Sequence, residues 1–318
     1  MNKTSQRLTP EAGGQPVTKI PLHQGAQTSR KNLKRSRNRA GWALVSPAML
    51  VLSLVMLLPI GYGFYLSLTS YNPVERGAPK FHGVTGYLKV LQSSVFWDAV
   101  WVTFLYAAGT LLIAVPVAML LAVLVNGSFP GVGVFRAVLY MPRVVPLVAA
   151  ALIWMWLYSH DGFFNYVLEV FGLPGVDFLT DENTALLSLI LMRSWKALGG
   201  GMILFLAGLQ SVPSSLLESA SVDGCGRMRK FWHVTLPTLV PIITYVIVMD
   251  LIYLAQSFTE IYIMTSGGPL SSTKVVNMLV YEEAFQHYRL GDASAMAFVL
   301  FCLIFAVAYA NIRILRRR

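Results

Sequence analysis

The chain alternates long uncharged apolar runs with shorter polar segments. The runs fall at residues 42–68, 99–125, 136–158, 184–209, 239–264 and 293–312. Residues 42–68 carry no charge at all. As a helix rising ~1.5 Å per residue this run reaches about 40 Å, enough to cross a ~30 Å hydrocarbon core with some tilt. In lipid a helix satisfies its own backbone, whereas an open strand does not. The pattern therefore predicts an all-α, polytopic membrane protein with six transmembrane helices. A signal peptide has an apolar region of only about 7–15 residues and a small-residue cleavage site, so 42–68 reads as a retained span. Pro59, Pro116, Pro146 and Pro241 lie inside or near the ends of runs, where neighbouring helices can supply the lost hydrogen bonds. Residues 1–40 are polar and lack periodicity, which predicts a disordered basic tail ahead of one membrane domain at 41–318.

Composition supports the same class. The chain is 55% hydrophobic and only 13% charged, about half the ~25% charge of a soluble domain. Its net charge of +10 raises the question of a nucleic-acid partner, but the distribution argues against one. Nine of the 25 basic residues precede residue 41, and Arg313, Arg316, Arg317 and Arg318 close the chain. With both termini inside, the inner segments hold eighteen basic residues, Arg136 and Arg143 among them. The outer loops hold five: Arg76, Lys80, Lys89, Lys274 and Arg289. That asymmetry makes both termini cytoplasmic. Cys225, Cys302 and the five scattered histidines form neither a disulfide framework nor a zinc pattern.

The inner segment 210–238 is longer than a connector needs to be. Pro213 can open a helix, because its missing N–H would be unpaired there anyway. Helix-compatible residues run from Ser214 to Ser221. Asp223-Gly224 is a turn signal, since Asp bonds its own backbone and Gly tolerates positive φ. A second short helix is predicted over 228–234, stopped by Pro237 before the fifth span. The expectation is a helix-turn-helix on the cytoplasmic face.

This segment resembles the EAA loop of binding-protein-dependent ABC transporter permeases. That pattern reads E-A-A, two residues, D-G-A, five residues, F, two residues, I-x-L-P. Glu218, Ala220, Asp223, Gly224, Phe231, Leu236 and Pro237 match in register; Ser219, Cys225 and Val234 are size-conserving departures. Further stretches are similar to the maltose-type carbohydrate branch: Gly162-Phe163-Phe164-Asn165, Trp195-Lys196, residues 206–213 and Thr265-Ser266-Gly267-Gly268-Pro269. The resemblance spans about residues 42–314. It implies a plasma-membrane permease subunit of a bacterial or archaeal importer of a sugar or sugar-like solute. The partners it implies are a second, similar permease, two ATPase subunits and an extracytoplasmic solute-binding protein. It also makes the loop a coupling helix seated in an ATPase, with Glu218, Ala220, Asp223, Gly224, Phe231 and Pro237 as the coupling residues.

No Gly-Lys dipeptide occurs, so the chain has no G-x-x-x-x-G-K-[ST] phosphate loop and ATP is expected on partner subunits. No hydrolase or metalloprotease motif appears, so no cofactor and no enzymatic activity are expected of this chain. A secondary transporter or channel remains the alternative, and such a protein needs no coupling loop. Charge inside a span demands an interior position, which singles out Arg193, Lys196, Asp250 and Glu260. They could line a solute path with Trp195, Tyr253 and Gln256, or be buried pairs that hold helices together. On one continuous fifth helix, Glu260 would stand about 15 Å beyond Asp250, near the outer surface. Tyr253 would share the side of Asp250 and Gln256 would face away. The expected path residues are accordingly Asp250, Tyr253, Arg193, Trp195 and Lys196.

Overall fold

The computed structural model describes residues 41–75 and 77–316. The expected tail at 1–40, Arg76 of the outer loops, and Arg317 and Arg318 lie outside the described residues. Helix α1 spans Gly41–Ser67. Two very short paired strands, β1 (Thr69–Ser70) and β2 (Lys80–Phe81), precede α2 (Thr85–Gln92). The chain continues through α3 (Ser94–Leu124), α4 (Val132–Val144), α5 (Leu147–Leu157) and α6 (Phe163–Val170). Next come α7 (Ala185–Gln210), α8 (Ser214–Val222) and α9 (Arg227–Ala255). The chain closes with α10 (Thr259–Met264), α11 (Val276–Tyr281) and α12 (Leu290–Arg316). Five of these helices are long and apolar enough to span a membrane by themselves, and α4 with α5 makes a sixth.

The chain divides at Gly61 into two units. Within the first, the described residues are the greater part of α1. In the second, α7 is the central element, packed along α3 and α4, with just over half of its apolar window buried. Membrane helices lack a hydrophobic drive toward one another, so close backbone approach through small residues matters more. Gly199 on α7 shows this: a Cβ there would stand 2.8 Å from Tyr140 Cα and 2.9 Å from Leu139 O on α4. One apolar cluster joins Tyr106, Leu189, Met192, Leu254 and Ile261. A second joins Ala118, Met202, Phe205 and Leu239 nearer the loop.

Two expected spans take a different form. Residues 136–158 form no straight helix: α4 and α5 meet at 96°. The residue before a proline is pushed out of the helical region, and Val145 ahead of Pro146 is extended, with ψ 129°. The sequence predicts a short helix over 228–234, stopped by Pro237, and a separate fifth span over 239–264. Instead α9 starts at Arg227, passes through Pro237 and ends at Ala255. A π turn at Phe231–Thr235, closed by Leu236 N–H donating to Phe231 O, widens the helix just ahead of Pro237. The same device precedes Pro59 in α1, where a π turn at Ser53–Leu57 is closed by Leu58 N–H to Ser53 O. Proline lacks an N–H and its ring crowds the carbonyl four residues back; one extra residue in the turn relieves both. Beyond Ala255 the helix breaks, with Phe258 at φ −150°, before α10 begins.

Candidate functional site

Two places concentrate the expected residues. The first is the turn between α8 and α9. Cys225 N–H donates to Ala220 O at 2.9 Å and Gly224 N–H to Ser221 O at 3.1 Å, which closes α8 as a Schellman motif. Gly224 takes φ +74°, the left-handed conformation that glycine adopts at no steric cost. The hydroxyls of Ser219 and Ser221 turn back onto the carbonyls of Ser215 and Leu217, so they are satisfied within the helix. Lys230 Nζ donates to Ser221 Oγ and ties the start of α9 to α8.

The six expected coupling residues divide by burial. Ala220 is buried, and Phe231 packs on the apolar cluster of Met202 and Phe205. These two fasten the loop to the bundle. Glu218, Asp223, Gly224 and Pro237 are exposed, alongside exposed Leu216, Val222 and Met228. A lone carboxylate on a short helix with apolar neighbours and a side-chain-free turn is a surface that a protein partner can cover closely.

The second place is the middle of the bundle. Lys196 is eleven residues from one end of α7 and fourteen from the other, about 17 and 21 Å along the axis. It is buried, and its Nζ donates to Pro142 O at 3.2 Å and to Val145 O. A helix end leaves carbonyls without intrahelical partners, and the break at Val145 puts such an end inside the membrane. Lys196 therefore caps α4 instead of facing a path, which corrects that expectation. One turn away, Arg193 Nε stands 3.8 Å from Glu260 Oε1, and the Tyr106 hydroxyl donates to the same oxygen at 2.8 Å. Glu260 is 1% exposed, so it occupies the interior instead of an outer rim. The break at 256–258 invalidates the continuous-helix arithmetic and swings α10 back against α5. Arg193 likewise belongs to a buried pair.

Asp250 is half-buried and Tyr253 is 54% exposed on α9. A residue that sequence reasoning assigned to an inner loop joins them: the Arg143 guanidinium carbon lies 5.9 Å from the Tyr253 ring centroid. Arg143 is exposed yet lies at the inner end of α4, about 16 Å from its start. Charge at that depth is tolerated only on a water-filled or protein-lined face. The available signal was its position three residues before Pro146, within an apolar run. Trp195 is half-buried, and its ring lies 5.5 Å from that of Trp154, which continues to Tyr158 and Phe164. Gln256 is exposed beyond the end of α9.

Among the described residues no cluster of His, Cys, Asp and Glu could hold a metal ion. Residues 114–318 match the family described as binding-protein-dependent transport system inner membrane component. Over 88% of its length the chain is 34% identical to a probable ABC transporter permease protein, YesP, of Bacillus subtilis (strain 168), covering 92% of that protein. It is 34% identical over 86% of its length to the sulfoquinovosyl glycerol transport system permease protein SmoG of Agrobacterium fabrum, covering 90% of it. The trehalose/maltose transport system permease protein MalF of Thermococcus litoralis is 30% identical, with 90% of this chain and 97% of that protein covered. In fold, the chain is similar to a crystal structure of a bacterial ABC transporter involved in import of the acidic polysaccharide alginate. The TM-score there is 0.76 at 24% identity, over 91% of this chain and 99% of the other.

Proposed function

The chain belongs to the family of binding-protein-dependent transport system inner membrane components and is an ABC transporter permease; on that premise we propose how it carries its solute. The solute is a sugar or a glycoside-like compound, the class named for several similar permeases. The path runs along the open face that carries Arg143, Asp250 and Tyr253, and it is completed by a second permease. A ring can stack on Tyr253 or on the Trp195–Trp154 pair. Hydroxyls can bond the Asp250 carboxylate and the Arg143 guanidinium, charged partners being the stronger ones. ATP is bound by two separate ATPase subunits, which engage α8 and the turn at Gly224. A solute-binding protein delivers the solute on the opposite side. The observation that carries this reading is the placement of the exposed Arg143 guanidinium against the exposed Tyr253 ring, with half-buried Asp250 one turn away on the same helix.

In the reconstituted complex, Arg143→Gln and Tyr253→Ala are expected to lower solute uptake about tenfold or more, the loss of one charge-assisted contact being about 1.5–3 kcal/mol. Basal ATP hydrolysis should persist, because neither residue touches the loop. Uptake at wild-type rates by both variants would place the path on another face.

The orientation we propose, with both termini cytoplasmic, rests on the basic asymmetry. Single cysteines at Ser215 and Tyr166 test it with impermeant thiol reagents in cells lacking Cys225 and Cys302. Tyr166 is 63% exposed on α6, whereas neighbouring Asn165 is buried and holds Val176 and Ser159. Tyr166→Cys should react from outside and Ser215→Cys only after the cells are opened. The reverse pattern inverts the topology.

A further inference from the structure

Where α9 leaves the coupling turn, its first four turns stand beside the last part of α3. A groove of about 530 Å³ opens between them, lined by Pro116, Met119 and Leu120 on one wall and by Trp232 and Ile243 on the other, with Arg227 at its mouth. Arg227 is exposed, and it shares one helical turn with exposed Arg229 and half-buried Lys230. Trp232 is 57% exposed. Below the mouth every lining side chain is apolar.

The α3 wall has about the length of half a hydrocarbon core. The α3 wall runs from Val115 to Val123, about 12 Å along the helix. The α9 wall runs from Arg227 to Ile243, about 24 Å. Half of a hydrocarbon core is about 15 Å. The groove therefore begins at the headgroup level, marked by a tryptophan and three basic residues, and ends near the middle of the membrane. Trp at that level and basic residues beside it are the features of an interfacial anchor.

The lining also bears on the occupant. Transmembrane helices meet through Gly, Ala, Ser and Thr, as α7 and α4 do at Gly199. This groove contains none of the four; its walls are Val, Met, Leu, Pro, Phe, Trp and Ile. A flexible acyl chain fits such walls better than a second helix does. A phosphate fits the cationic mouth, and guanidinium–phosphate pairs are strong and directional.

We propose that this groove is a binding site for one anionic phospholipid, its phosphate against Arg227 and one acyl chain along α3. Arg227 follows Gly226 directly, three residues past Gly224. A lipid held there is attached to the same turn that faces the ATPase.

The test is native mass spectrometry of the intact transporter complex, purified and then equilibrated with equal amounts of phosphatidylglycerol and phosphatidylcholine. The wild-type complex should retain phosphatidylglycerol preferentially. Arg227→Gln should cut that preference about fivefold, the effect of one basic side chain at an anionic surface. Met119→Trp, which fills the groove, should lower the retention of both lipids. Arg229→Gln, whose side chain lies outside the groove, should leave the preference unchanged. Subunit composition read in the same spectra controls for assembly. The proposal is overturned if the wild type shows no preference. It is equally overturned if Arg229→Gln matches Arg227→Gln, which would mean a diffuse basic rim. Crosslinking of a Met119→Cys variant to the second permease would show that protein fills the groove, and would overturn it as well.

Discussion

Glu260→Ala is expected to destabilise the permease by about 3–5 kcal/mol, the cost of leaving a buried charge without its partner. Glu260 is 1% exposed and its Oε1 receives both the Tyr106 hydroxyl at 2.8 Å and the Arg193 contact at 3.8 Å. Removing the carboxylate strands the guanidinium next to Lys196, a second cation on the adjacent turn of α7. Arg193 Nε makes no hydrogen bond within the protein, so the Glu260 carboxylate is the ion-pair partner it has. The double variant Arg193→Met/Glu260→Met should recover most of the loss, because two apolar side chains of similar volume replace a pair whose desolvation nearly cancels its attraction. Thermal unfolding of the purified complex reads both. A Glu260→Ala protein as stable as wild type, or a double variant no better than the single, would mean that this pair does not hold α10 to α7.

The number of spans and the stop of α8 at Asp223-Gly224 were legible in the sequence, and the reasons are local. The run 184–209 became α7, Ala185–Gln210, because its apolar length alone demands a helix in lipid. Asp223-Gly224 became a left-handed helix stop because that chemistry is carried by the two residues themselves. Proline was a poorer guide. Pro116 and Pro241 lie inside helices, Pro59 and Pro237 follow π turns, and only Pro146 accompanies a 96° break. What separates Pro146 is Lys196, fifty residues on, whose ammonium accepts the role of capping Val145 O and Pro142 O. A window of sequence around the proline contains no trace of that partner.

The intramembrane charges divided for the same reason. Lys196, Arg193 and Glu260 satisfy one another or a helix end, and their partners come from α3, α4, α7 and α10. Asp250 and Tyr253 share a side because they sit three residues apart on one unbroken helix, which periodicity can see. Glu260 was placed wrongly because the arithmetic carried the helix through the break at 256–258. Arg143 was assigned to an inner loop by charge counting, although its own apolar flanks set it inside the span. Its meeting with Tyr253 depends on the bend that Lys196 secures.

Glu218→Ala is expected to leave the permease folded and assembled while solute-driven ATP hydrolysis and uptake fall roughly 10–100-fold. Glu218 is exposed on α8, so its loss leaves no buried group stranded within the chain. Its proposed contact is with the ATPase, and a hydrogen bond to a charged group contributes about 1.5–3 kcal/mol, which is about 10–100-fold in an equilibrium. Gly224→Val should act on the same turn by a different route. A Cβ at Gly224 meets nothing within 4 Å, so crowding is not the cause; φ +74° is, because a β-branched residue is strained there. The strain loosens the hydrogen bonds of Gly224 and Cys225 to α8 and lets Glu218 drift from its partner. Ser221→Ala with Lys230→Met, which removes the tie between α8 and α9, should give a milder loss of the same kind. Solute-stimulated hydrolysis in proteoliposomes, normalised to the co-purified ATPase, separates lost coupling from lost assembly. Full stimulation in both Glu218→Ala and Gly224→Val would show that the ATPase takes its signal from another part of the chain.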